Sequence, residues 1–130
     1  LLPLVTRFES HKLLREVTCT FDQLGRSSRW GGLQGVSVRG YEIHQGRTHA
    51  AHEGSTSPAL KPVLFDTQGA PLGWMAGSVL GIYLHGLFES PGATQRLIGQ
   101  PIRSMDEIMD GLADHIDAAF DPCVLMRLLD

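Results

Sequence analysis

At 130 residues and 42% hydrophobic, the chain carries enough apolar material for one domain, or part of one, with a real core. Its formal charge of -3 and its scattered basic residues supply no patch for nucleic acid or an anionic membrane. No apolar run approaches the roughly 20 residues that a membrane-crossing helix needs, and the N-terminus lacks the basic-then-apolar order of a signal peptide; a small-molecule or protein partner and a cytoplasmic location are expected.

The chain opens without an initiator Met on the apolar run Leu1, Leu2, Pro3, Leu4, Val5, which reads as a chain entered in mid-fold. Strands are expected through the first third, because Val17, Cys19 and Phe21 alternate with Glu16, Thr18 and Thr20, an apolar face backed by a polar one. Residues 25–35, rich in Gly, Ser and Arg, predict a loop, and Val36 to Ile43 a second extended run. The Gly31-Gly32 dipeptide precedes a strand instead of opening a helix, the wrong place for a phosphate-cradling loop. A polar connection over 50–62 leads to a short apolar run at Val63 to Phe65 and a turn near Gln68 and Gly69. Trp74 to Leu84, apolar and small, then predicts one or two buried strands. At His85-Gly86 the pattern breaks, and Ser90-Pro91 offers a helix N-cap followed by proline in the first turn. The last stretch predicts the clearest helix. Ser104 and Glu107 form a capping box, and Met105, Ile108, Met109, Leu112, Ile116 and Ala119 recur at helical spacing as a core stripe. It should stop before Pro122, where Asp121 can cap a last short helix.

The candidate chemistry lies in two stretches. Gly81 to Glu89 puts His85 at the C-terminal end of an expected buried strand, where open α/β sheets place ligands and reactive groups, and Gly86 leaves room beside it. Val38 to Thr48 crowds Arg39, Glu42, His44 and Arg47 together, a charge density seldom placed on an inner strand without a partner or ligand. A solvated edge strand is the competing reading of that stretch. His44, His49, His52 and Glu53 match no standard zinc spacing, so no metal is expected. The two cysteines, Cys19 and Cys123, are too few for a disulfide framework.

Val38 to Thr48 resembles the Arg-Gly-Tyr-Glu-Ile-His-x-Gly-Arg-Thr motif of cobyric acid synthases, and Tyr83 to Phe88 resembles their Tyr-Leu-His-Gly-Leu-Phe. Leu1-Leu2-Pro3 and the capped C-terminal helix also fall where that family has them, and the related cobyrinic acid a,c-diamide synthases share parts of both motifs. The resemblance implies an α/β fold: over residues 1–130, the C-terminal portion of a class I glutamine amidotransferase-like (flavodoxin-like) domain, a mixed sheet with flanking helices. The implied activity is glutamine hydrolysis in cobalamin (vitamin B12) biosynthesis. A cysteine thiolate attacks the side-chain amide of glutamine, and the ammonia released feeds ATP-dependent amidation of corrin side-chain carboxylates. By motif match His85 is the catalytic histidine, moving protons among the thiol, the leaving nitrogen and the hydrolytic water. Glu42, Glu89, His44 and Arg47 are the candidate orienting or substrate-side residues; the position two after the histidine, often a glutamate in this class, is Leu87.

In the family the nucleophile occupies a glycine-flanked elbow upstream of Leu-Leu-Pro, so the resemblance implies an enzyme fragment that is inactive alone. Cys19, on the apolar face of a strand, has its thiolate disfavoured, and Cys123 follows the family's C-terminal region; both read as structural. No cofactor is expected in this chain, ATP and Mg belonging to the N-terminal synthetase domain of the parent protein. That domain and glutamine are the expected partners. Uncovered apolar faces and strand edges predict that the fragment self-associates or is only marginally stable. The competing reading is a non-catalytic interaction or regulatory module that has lost the nucleophile.

Overall fold

The computed structural model describes residues 2–51, 59–100 and 102–120. Its strands are β1 (Leu4–Arg7), β2 (Leu13–Phe21), β3 (Ser37–His44), β4 (Arg47–Ala50), β5 (Lys61–Asp66), β6 (Pro71–Ala76), β7 (Val79–Ile82) and β8 (Leu84–His85). Two helices follow, α1 (Pro91–Ile98) and α2 (Met105–Ala119). One sheet has the order β7-β6-β5-β2-β3-β8, while β1 and β4 pair as a separate ribbon. The α/β class and the flanking helices match the expectation. Among the described residues every pairing is antiparallel, where a mixed sheet was expected. Short reversals such as Gly77-Ser78 between β6 and β7 fix that, since parallel neighbours need a long crossover.

Period-two alternation fixes the core. In β2, Val17, Cys19 and Phe21 are buried and Glu16, Thr18 and Thr20 exposed. The register sets Val17 opposite Gly40 and Cys19 opposite Val38, so the apolar faces of β2 and β3 coincide. Val63 and Leu64 of β5, Leu72 and Met75 of β6, and Leu84 join that cluster. The 25–35 stretch is more ordered than a plain loop, because a 3-10 turn over Gly31–Leu33 drives Leu33 into the core. Phe21, Leu33 and Leu64 are fully buried, each contributing about 1.5–3 kcal/mol.

Ser90 takes the N-cap position of α1 ahead of Pro91, but its hydroxyl does not cap; instead the buried Thr94 hydroxyl donates to the Ser90 and Pro91 carbonyls. The capping box of α2 forms as the spacing predicts, Glu107 N–H donating to Ser104 Oγ at 3.1 Å and Ser104 N–H to Glu107 Oε2 at 2.7 Å. The core stripe does not. No residue of α2 is buried, and Met105, Ile108, Met109 and Leu112 are 48–55% exposed. Periodicity identifies an apolar face without saying what covers it. No helix among the described residues is long and apolar enough to cross a membrane. The short helix expected after Asp121, with Cys123, lies outside the described residues.

Candidate active site

His85 owes its place to β3. After β7 the chain leaves the sheet at Tyr83, whose N–H donates to the Leu72 carbonyl, and rejoins it as the two-residue edge strand β8. There Tyr41 pairs with His85 and Glu42 with Leu84. The histidine therefore stands on an antiparallel edge and not at the C-terminal end of the preceding strand. Gly40 permits this approach, since a Cβ there would run into the His85 carbonyl oxygen and stand 3.1 Å from Leu84 Cδ1. Gly86, at φ +90°, turns the chain at once into a 3-10 turn over Leu87–Glu89. Leu84 and Leu87 are buried on either side, so the backbone is pinned while the His85 ring is exposed.

Across β2, β3 and β8, Glu16, Tyr41 and His85 form a row on one face. A cleft of about 570 Å³ adjoins that row, lined by Glu16, Arg39, Tyr41, Glu89, Ser90 and Asp106 among others. Arg39 Nε donates to Glu16 Oε1 at 2.5 Å, which raises the Arg39 pKa and holds the Glu16 carboxyl below its ordinary value. The Glu89 carboxylate reaches back over Gly86, its Oε2 3.7 Å from where a Cβ on that glycine would stand.

Glu42 faces the other way. Adjacent strand residues point to opposite faces, so the pairings put Glu42 with Leu84 on the inner side and His85 on the outer. Glu42 is buried, its Oε2 accepting from Arg15 Nε and its Oε1 bonded to His44 Nε2, both at 2.6 Å. Arg15 also donates through Nη2 to Asp66 Oδ2 at 2.9 Å, and the Glu42 and Asp66 hydrogen bonds raise its pKa. Burial pushes the Asp66 carboxyl up, yet the N–H groups of Ala70 and Gln68 together with Arg15 outweigh it and hold the group below its ordinary value. The His44 ring stacks at 4.8 Å from Tyr83, with Nδ1 buried and unpartnered among the described residues. Tyr83 in turn bonds Thr48 and Thr6 through its hydroxyl, stitching the β1–β4 ribbon to the main sheet. Arg47 is exposed on that ribbon, its Nε 3.0 Å from Glu9 Oε1.

The expected site residues thus divide. His85 and Glu89 share one side with Tyr41; Glu42 and His44 belong to a buried ionic network; Arg47 stands apart. The sequence expectation passed over Arg15 and Gly40. Arg15 carried a signal, for counting back by twos from Phe21, Cys19 and Val17 puts a charge at an inward position. His44 and His49 lie in different sheets, and His52 and Glu53 fall outside the described residues. Burial, reinforced by the Asp66 and Glu42 carboxylates, pushes the Cys19 thiol up to about 11, so it holds its proton at neutral pH.

Residues 1–93 match the family described as the CobB/CobQ-like glutamine amidotransferase domain. The chain is 47% identical over 131 residues to the cobyric acid synthases of Methylibium petroleiphilum and Leptothrix cholodnii, in each case over 99% of this chain and 24% of the relative. It is 40% identical to the cobyric acid synthase of a Polaromonas species over 99% of the chain and 25% of the relative. The chain therefore spans about a quarter of the length of the curated relatives it matches. No solved structure matches it.

Proposed function

The chain belongs to the CobB/CobQ-like glutamine amidotransferase domain family, and we propose that it supplies the catalytic histidine, His85, for glutamine hydrolysis within a cobyric acid synthase of cobalamin biosynthesis. The observation that supports this is the exposed His85 ring, pinned between two buried leucines beside an open cleft. In this reading His85 takes the proton of a cysteine thiol. The thiolate attacks the carbonyl carbon of the glutamine side-chain amide, and the C–N bond breaks as the imidazolium gives its proton to the departing ammonia. A thioester remains; His85 then takes a proton from the attacking water, and glutamate leaves as the thiol is restored. Glu89, on the same side, is the acid we assign to steady the imidazolium, whereas Glu42 is engaged by Arg15 and His44.

The nucleophile in this reading is neither cysteine of the chain and lies on polypeptide outside this sequence, so the isolated chain is inactive. The ammonia passes to an N-terminal synthetase domain, where ATP and Mg serve the amidation of corrin carboxylates. The Gly31-Gly32 dipeptide does not fit a nucleotide phosphate: it lies in a 3-10 turn, and a Cβ on Gly31 would stand 2.7 Å from the carbonyl oxygens of Gly25 and Arg26.

A chimera tests the proposal: this chain replaces the aligned stretch of the Methylibium petroleiphilum protein, and ammonia release from glutamine is measured. Release is expected. A chimera that amidates with free ammonia but never hydrolyses glutamine would favour the non-catalytic module.

A further inference from the structure

Resting on that reading, we infer that α2 is a docking surface for the amidotransferase segment that bears the cysteine nucleophile. Its apolar residues Met105, Ile108, Met109, Leu112 and Ile116 lie along one side, 39–55% exposed, while Asp110, Asp114 and Asp117 occupy the other. An isolated helix of this length is marginal in water and draws its stability from packing an amphipathic face. Among the described residues nothing covers that face, since no α2 residue is buried. The stripe calls for a cover that the described residues do not supply.

Which cover follows from where α2 begins. Asp106, in its capped first turn, lines the same cleft as Tyr41 and Glu89, next to His85. A segment that brings a cysteine sulfur within hydrogen-bond reach of His85, about 3 Å, descends on that cleft and meets α2 there. The relatives match across 99% of the chain, α2 included, and are about four times as long, so the polypeptide to supply such a segment exists in them. The apolar stripe takes an apolar surface on that segment, and α2 acts as a positioning element that fixes the distance between nucleophile and histidine.

The test uses the Methylibium chimera. Amide hydrogen exchange in α2 should be at least about tenfold slower there than in the isolated chain. The double variant Met109→Glu/Leu112→Glu should lower glutamine hydrolysis by about a hundredfold, the effect of a misplaced reactive group, and leave amidation from free ammonia intact. Asp110→Asn/Asp114→Asn, on the opposite side, should change neither. Three results overturn the inference: α2 amides that exchange equally fast in chimera and isolated chain; stripe variants that keep glutamine hydrolysis but lose its coupling to amidation, which assigns α2 to the synthetase portion; or stripe variants that only convert a dimer to a monomer, which assigns it to a second copy. Failure of the underlying reading looks different, because His85→Ala would then leave hydrolysis intact whatever α2 does.

Discussion

Gly40→Ala isolates the contact that puts His85 in place. A β-carbon on residue 40 would stand 3.1 and 3.2 Å from Cδ1 and Cγ of Leu84 and closer still to the His85 carbonyl oxygen, against an ordinary contact of about 3.5 Å. The oxygen belongs to backbone paired in the sheet and cannot rotate away, so β8 must withdraw by about 1 Å or more. Alanine in place of a strand glycine gains about 0.5–1 kcal/mol in backbone entropy, while the forced displacement costs about 1–3 kcal/mol. A net loss of up to about 2.5 kcal/mol is expected from these two terms. The catalytic effect should be larger, since a 1 Å misplacement of a reacting group costs about a hundredfold. In the chimera, kcat for glutamine hydrolysis should fall by about that factor, with amidation from free ammonia retained. Urea unfolding of the isolated chain, followed by Trp30 and Trp74 fluorescence, reports the stability. A variant with unchanged stability and hydrolysis within about twofold of the parent would refute the role given to Gly40.

Arg15→Met leaves the Glu42 and Asp66 side chains, 5% and 3% exposed, without their shared cation. Breaking a buried pair costs about 3–5 kcal/mol, and because Arg15 itself is 38% exposed water screens the loss to about 2–3 kcal/mol. Asp66 is held below its ordinary value of 3.8, so its contribution is fully present above that pH and is lost as pH falls through the folded value. The Arg15→Met penalty should therefore be largest near neutrality and shrink below about pH 4; unfolding curves showing an equal penalty at both pH values would contradict this. In a Cys123→Ser background, Cys19 should react with iodoacetamide at pH 8 about a hundredfold more slowly in the folded chain than in urea, the thiol being pushed up to about 11; equal rates would show an accessible thiolate. The isolated chain, with Phe8 and Leu14 exposed near its N-terminal strands, should scatter light as species heavier than 14.2 kDa, and a monodisperse monomer would contradict that expectation.

The elements easiest to read from sequence are those whose signal is local. Alternation through Val17, Cys19 and Phe21 and the Ser104/Glu107 box depend on neighbours a few residues away, and both form as the spacing predicts. Strand β8 is too short to show a period, so its existence and its edge position come from Gly40 across the sheet, a long-range fact. The same limit explains the separation of Glu42 from His85. Each residue reads as charged and site-like on its own strand, but which face it takes depends on the Tyr41–His85 register, which a single sequence does not carry. The α2 stripe shows the converse, since the apolar face is plain in the sequence while its cover belongs to tertiary structure.

The most direct test of the account is His85→Ala in the Methylibium chimera, assayed for glutamine-dependent and ammonia-dependent amidation side by side. Loss of hydrolysis by about three orders of magnitude, with ammonia-dependent amidation preserved, is the predicted result. Glutamine hydrolysis at the parent rate in that variant would contradict the assignment of His85.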